Sequence, residues 1–170
     1  MQFVPFVLDG NENIIPVKFT HMNQDDANAT NKDPKWQTSW TSEYIKNLKG
    51  HKIALKSLDD ELLALAVYKD MGKAMHIYIA YMEAQPESNP NCVTTKKYHN
   101  IGRVLIAYGI KLSVDALYGG DVTLEAKTPE LAKHYMQDFE AIPVGNYEGV
   151  APRFLICGAA AKNIFSTYLK

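Results

Sequence analysis

Between residues 51 and 82 the chain carries three strand-like runs joined by very short connections. In residues 51–58, Ile53 and Leu55 alternate with polar neighbours. Residues 62–68 are almost continuously apolar, and residues 75–82 are rich in aromatic and β-branched side chains. Asp59-Asp60 separates the first two runs, and residues 70–73, with Gly72, separate the second and third. Connections this short cannot cross over a sheet to make parallel neighbours, so the three runs predict an antiparallel meander.

After residue 83 the pattern changes. Residues 84–99 hold two prolines and no periodicity and read as a loop. Ile101, Leu105, Tyr108, Leu112 and Leu117 then recur near helical spacing, and Gly119-Gly120 stops the helix expected over 101–117. Residues 121–126 predict a strand. Thr128-Pro129-Glu130 opens a second helix, with a capping side chain, proline at the first helical position and an acid near the positive end. That helix runs through Phe139. Residues 141–144 and 153–157 predict two closing strands, and 159–169 a last amphipathic helix. Strand, crossover helix and strand in series predict a right-handed parallel unit. The fold class is therefore α+β, with a mixed, mostly antiparallel central sheet flanked by helices.

The first fifty residues are less patterned. Residues 3–8 and 14–19 predict a strand pair around Asp9-Gly10, and a short helix is expected from Thr41 or Ser42 through Asn47, ended by Gly50. Residues 20–40 are polar and read as a functional loop. Trp36 and Trp40 in it would line a pocket or anchor the loop, and Asp25 and Asp26 would attract a cationic amine or, the favoured reading, simply belong to a solvated polar loop.

A length of 170 residues fits one domain spanning 1–170. Net charge is -1, so nucleic acid or an anionic membrane is not an expected partner and any anion site must be local. No apolar run is long enough for a membrane helix, and the first residues read as a strand and not a secretory signal, so a cytoplasmic location is the default. Cys92 and Cys157 make no disulfide framework, and the five histidines show no ligand spacing, so no metal is expected. Cys92, seven residues from His99, is a weak candidate nucleophile, and Cys157 is expected to be buried.

The stretch Lys96-Lys97-Tyr98-His99-Asn100-Ile101-Gly102-Arg103 follows a strand and loop and opens a helix. Helix N-termini leave N–H groups unpaired and carry partial positive charge, so a phosphate fits there. Gly102 lets an anion approach the backbone, and Lys96, Lys97 and Arg103 add positive charge. A solvated basic helix start is the competing reading.

From Lys97 to Gly102 this stretch resembles the Arg/Gln-x-x-Gly-x-Gly/Ala loop of the GNAT acetyltransferases, which cradles the pyrophosphate of coenzyme A. Lys97 stands for Arg or Gln, and Asn100 for the first Gly. Asn tolerates left-handed backbone geometry, so the loop shape can survive. The element order over about 51–157 matches the same family, although Tyr135 to Ile142 matches its Tyr-x-x-x-Gly-Phe segment only at the tyrosine.

The resemblance implies an acyl-CoA N-acyltransferase fold, acetyl-CoA as co-substrate and direct attack by a primary amine, carried by a small molecule or a protein. It implies cofactor contacts at Met82, Ala84, Lys97, Tyr98, His99, Asn100, Ile101, Gly102, Arg103 and Thr128. Backbone N–H groups from Met82 to Ala84 would polarise the thioester carbonyl. It implies Glu83 as the base, with Glu87 a weaker candidate, and Tyr135 as the acid that protonates the leaving thiolate. The alternatives are a solvated acid for Glu83 and a core ring for Tyr135, which shares a helix face with Leu131 and Phe139. A non-catalytic module that binds acyl-CoA or a protein is the rival function. A nucleotide-binding α/β enzyme is a third, opposed by the lack of Gly-Lys-Ser/Thr. The last helix would pack on the body or on a second subunit, giving a homodimer.

Overall fold

A computed structural model describes residues 1–145 and 151–170. The strands are β1 (Phe6–Asp9), β2 (Ile14–His21), β3 (His51–Ser57), β4 (Leu62–Asp70), β5 (Ile77–Ala84), β6 (Tyr98–His99), β7 (Val122–Glu125), β8 (Ile142–Pro143) and β9 (Arg153–Ile156). The helices are α1 (Gln24–Ala29), α2 (Glu43–Asn47), α3 (Ile101–Asp115), α4 (Pro129–Asp138) and α5 (Gly158–Ser166). The strand order is β6-β1-β2-β3-β4-β5-β7-β9-β8. β5 and β7 pair parallel, with Ile77 opposite Val122 and Ile79 opposite Leu124. The pairs β1/β2, β1/β6, β2/β3, β3/β4, β7/β9 and β8/β9 are antiparallel. This is the mixed, mostly antiparallel sheet flanked by helices that the patterning predicts.

The chain packs as two compact units. One comprises Val4–Tyr68 and Tyr81–Leu105. Its centre is β4, where Leu63 to Tyr68 are each at most 1% exposed. A buried Leu, Ile or Val contributes about 1.5–3 kcal/mol relative to an exposed one, so this run is the main anchor of the unit. The buried Tyr68 hydroxyl donates to the Leu105 carbonyl at 2.7 Å. Gly50 follows α2 with φ +134°, and a Cβ there would sit 2.5 Å from the Tyr68 carbonyl oxygen, so only glycine fits.

Residues 20–40 differ from the expected loop. β2 runs to His21, and α1 follows. Asn23 caps α1 in a reciprocal box: its Oδ1 accepts from Asp26 N at 2.8 Å, and Asp26 Oδ2 accepts from Asn23 N at 3.0 Å. Asp26 is buried and ion-paired with Lys56 at 2.8 Å, which gives it a structural partner in place of an incoming cation.

The other unit comprises Met1–Phe3, Lys69–Ala80 and Ile106–Lys170. Its core includes Ile106, Ile110, Val122, Leu124, Phe154, Ile156 and Ile164. The Phe3 ring lies 5.8 Å from Phe165 and 6.1 Å from Tyr168. On the strands, Arg153 donates to Glu125 Oε1 at 2.8 Å and lies over the Tyr78 ring. Cys157 is half-exposed at the start of α5, not buried, because the strand ends one residue before it. Among the described residues no helix is long and apolar enough to cross a membrane.

Candidate functional site

The expected phosphate loop lies where β6 passes into α3. Tyr98 and His99 add a short strand to β1, with His99 opposite Leu8 and Tyr98 opposite Asp9. Asn100 then turns the chain with φ +68°. Its carbonyl accepts from Val104 N at 3.1 Å, which starts the helix. The left-handed turn expected where the motif departs from glycine is therefore present at Asn100. Ile101 is buried and anchors the turn, while Gly102 and Arg103 are half-buried. A Cβ built on Gly102 meets nothing within 4 Å, so the space in front of this backbone is open.

Lys97 does not project freely. Its Nζ donates to both Glu61 oxygens, at 2.9 and 3.1 Å. Gln85 Nε2 and the Tyr98 hydroxyl donate to the same carboxylate at 3.1 and 3.3 Å. Burial pushes the Glu61 carboxyl up, but the hydrogen bonds from Lys97, Gln85 and Tyr98 outweigh it and hold the group below its usual value. The Glu61 bond in turn holds the Lys97 ammonium above its usual value, against some desolvation. Further hydrogen bonds run from Ser88 Oγ to Gln85 Oε1 and from Tyr98 N to Ser88 Oγ. The long loop before α3 is thus fastened to the start of β4. Glu61 and Gln85 carried no sequence signal, because their partners lie 24 and 36 residues away.

Glu83 lies on β5, 7% exposed. Its Oε2 accepts from the backbone N–H of Gln37 at 2.8 Å and of Thr38 at 3.3 Å, and its Oε1 accepts from the Trp40 indole at 3.0 Å. A carboxylate has about four lone-pair sites, so three donors leave one. Met82 and Ala84 are half-buried on the same strand and point to its opposite face. Trp40 is fully buried and anchors the segment, while Trp36 is half-buried. Trp36 lines a cavity of about 420 Å³ with Asp33, Glu61, Gln85, Glu87 and Lys97.

Tyr135 lies on α4, 4% exposed, its ring edge-on to Phe154 at 6.1 Å. Burial pushes its hydroxyl up to about 12, so the phenol is protonated at neutral pH. Thr128 caps α4, accepting from Leu131 N at 3.1 Å. Glu83, Met82, Ala84 and residues 97–103 therefore share one unit, while Thr128 and Tyr135 belong to the other. Cys92 is exposed.

Solved structures decide the fold. A nourseothricin acetyltransferase superposes with TM-score 0.55 and 15% identity, covering 82% of this chain and 97% of that one. The GNAT family acetyltransferase from Listeria monocytogenes 4b F2365 gives 0.56 and 8%, covering 89% and 98%. The chain has the GNAT fold. A spermidine N-acetyltransferase chimera from Vibrio cholerae and hSSAT matches that GNAT fold with TM-score 0.55 and 12% identity, over 86% and 98% of the two chains. No family model matches the sequence, and no curated protein matches it.

Proposed function

We propose that this protein is an acetyl-CoA-dependent N-acetyltransferase acting on a primary amine in the cytoplasm. The observation that carries the reading is the start of α3. A left-handed Asn100 and an open Gly102 leave this helix N-terminus unobstructed, which supports an anion such as a pyrophosphate binding there. The GNAT-fold neighbours, acetyltransferases by name, support the same chemistry.

Acetyl-CoA would supply the acetyl thioester. N–H groups at the α3 start would bind its pyrophosphate, helped by the partial positive charge of the helix end. Lys97 serves this loop by fastening it to Glu61, while Lys96 and Arg103 supply the charge nearby. Backbone N–H groups from Met82 to Ala84 would polarise the thioester carbonyl.

The amine nitrogen attacks the carbonyl carbon, and the carbon–sulfur bond breaks. Glu83 takes the proton lost by the amine, through a water at its remaining lone-pair site. The departing sulfur gains a proton, a role that the family resemblance alone gives to Tyr135, since burial raises its phenol and makes it a weaker acid. The cavity beside Trp36 has the size of a small-molecule site, and with Lys97 paired to Glu61 its remaining charges are Asp33 and Glu87 against Lys32, a balance that favours a cationic acceptor by one charge.

Activity with a panel of primary amines and acetyl-CoA, following free thiol release, tests the reading. Thiol release that requires an amine supports it. Tight coenzyme A binding without transfer to any amine would leave a binding module.

A further inference from the structure

The segment carrying both tryptophans of the chain, Trp36 and Trp40, is fastened on two sides. Toward β5 it gives three donors to Glu83. Toward the loop before α3, Gln37 makes a connection among the described residues. Its Oε1 accepts from Asn89 Nδ2 at 3.1 Å and, at a longer 3.5 Å, from Asn91 Nδ2.

Asn89 is 6% exposed, and its other amide atom, Oδ1, accepts from Asn91 N at 2.9 Å. Its backbone carbonyl accepts from Cys92 N and Val93 N. Leaving a buried amide without its acceptor is unfavourable, so the bond favours Asn89 and Gln37 moving together. Gln37 itself is exposed and fills no core space. Its neighbour Trp36 walls the cavity.

We propose that Gln37 is a positioning residue that couples the cofactor-side loop, residues 85–99, to the cavity-side segment, residues 36–40. The proposal rests on the reading that coenzyme A binds at the start of α3. A ligand that settles the cofactor-side loop, which itself lines the cavity through Gln85, Glu87 and Lys97, then also settles the Trp36 wall through Gln37. Such coupling is reciprocal and is commonly on the order of 5-fold or more in affinity.

Coenzyme A titrations of the full chain, read by tryptophan emission and by calorimetry, test this. Emission reports only this segment, since both tryptophans lie in it. In the wild type, binding heat and an emission change should saturate together. Gln37→Ala should bind coenzyme A with near wild-type affinity and lose the emission change. Gln37→Glu, which keeps an acceptor oxygen for Asn89, should restore it. An unchanged emission response in Gln37→Ala, or wild-type binding heat with no emission change, overturns the proposal. Absence of binding heat in the wild type overturns the functional reading first, and the coupling with it.

Discussion

The Trp40 indole N–H donates to Glu83 Oε1 at 3.0 Å, joining residues 43 apart in sequence. This bond makes the candidate base also the post to which the 36–40 segment is tied. Trp40→Phe keeps most of the ring packing and removes one donor from a buried carboxylate. It should destabilise the protein by about 1–3 kcal/mol. For a chain of this length that lowers Tm by roughly 2–4 °C per kcal/mol. Thermal unfolding checks it, and an unchanged Tm would mean that water replaces the indole.

Tyr135 offers a different test, on the alkaline side. Its folded-state value, about 12, lies above the ordinary 10. Below pH 10 the phenol is protonated in both states and its contribution to stability is complete. Between pH 10 and about 12 the unfolded chain releases this proton while the folded one keeps it, so stability falls as pH rises. Tyr135→Phe should remove part of that fall, seen as a shallower alkaline loss of Tm. The same variant should lower kcat more than it raises KM for acetyl-CoA. Equal turnover would leave Tyr135 a core ring.

The meander was legible because burial on a sheet imposes its own period. Alternation in 51–58 and the continuous apolar run 62–68 both became strands within a residue or two of their expected limits. α1 was not legible. Its six residues bury only Asp26 and Ala27, so it has no apolar stripe, and its signal is the Asn23–Asp26 capping box alone. β6 is two residues long and exists only because β1 supplies a partner edge.

At the site, the turn at Asn100 could be read from residue type, since Asn is among the few residues that adopt that geometry. The partners of Glu83 and Lys97 could not be read. Each is a contact across more than thirty residues, which no local pattern encodes.

The Glu61–Lys97 pair fixes the pH window of the loop. The Glu61 carboxyl is lowered, so its contribution is present above the unfolded value, near 4.5, and is lost as pH falls through the folded one. The Lys97 ammonium is raised, so its contribution is complete below about 10.5 and is lost as pH rises beyond. Glu61→Gln should flatten the acid limb of a Tm-against-pH curve. Both groups are partly exposed, so the effect should shrink in high salt. An acid limb identical to wild type would assign it to other carboxylates.

Asn100 distinguishes backbone geometry from side-chain chemistry. Asn100→Gly should fold and bind coenzyme A as the wild type does, because glycine accepts φ +68° freely. Asn100→Val should cost about 1–2 kcal/mol, measured by denaturant unfolding. A valine variant as stable as the glycine one would mean that the turn relaxes.

The most direct test of the account is calorimetric titration of coenzyme A into wild type and Gly102→Glu, with unfolding curves recorded for both. The space in front of Gly102 is open, so the variant should fold with a near wild-type Tm. The wild type should bind saturably and Gly102→Glu should lose that binding, because its carboxylate would occupy the anion's place. Equal binding by the folded variant, or none by the wild type, would contradict it.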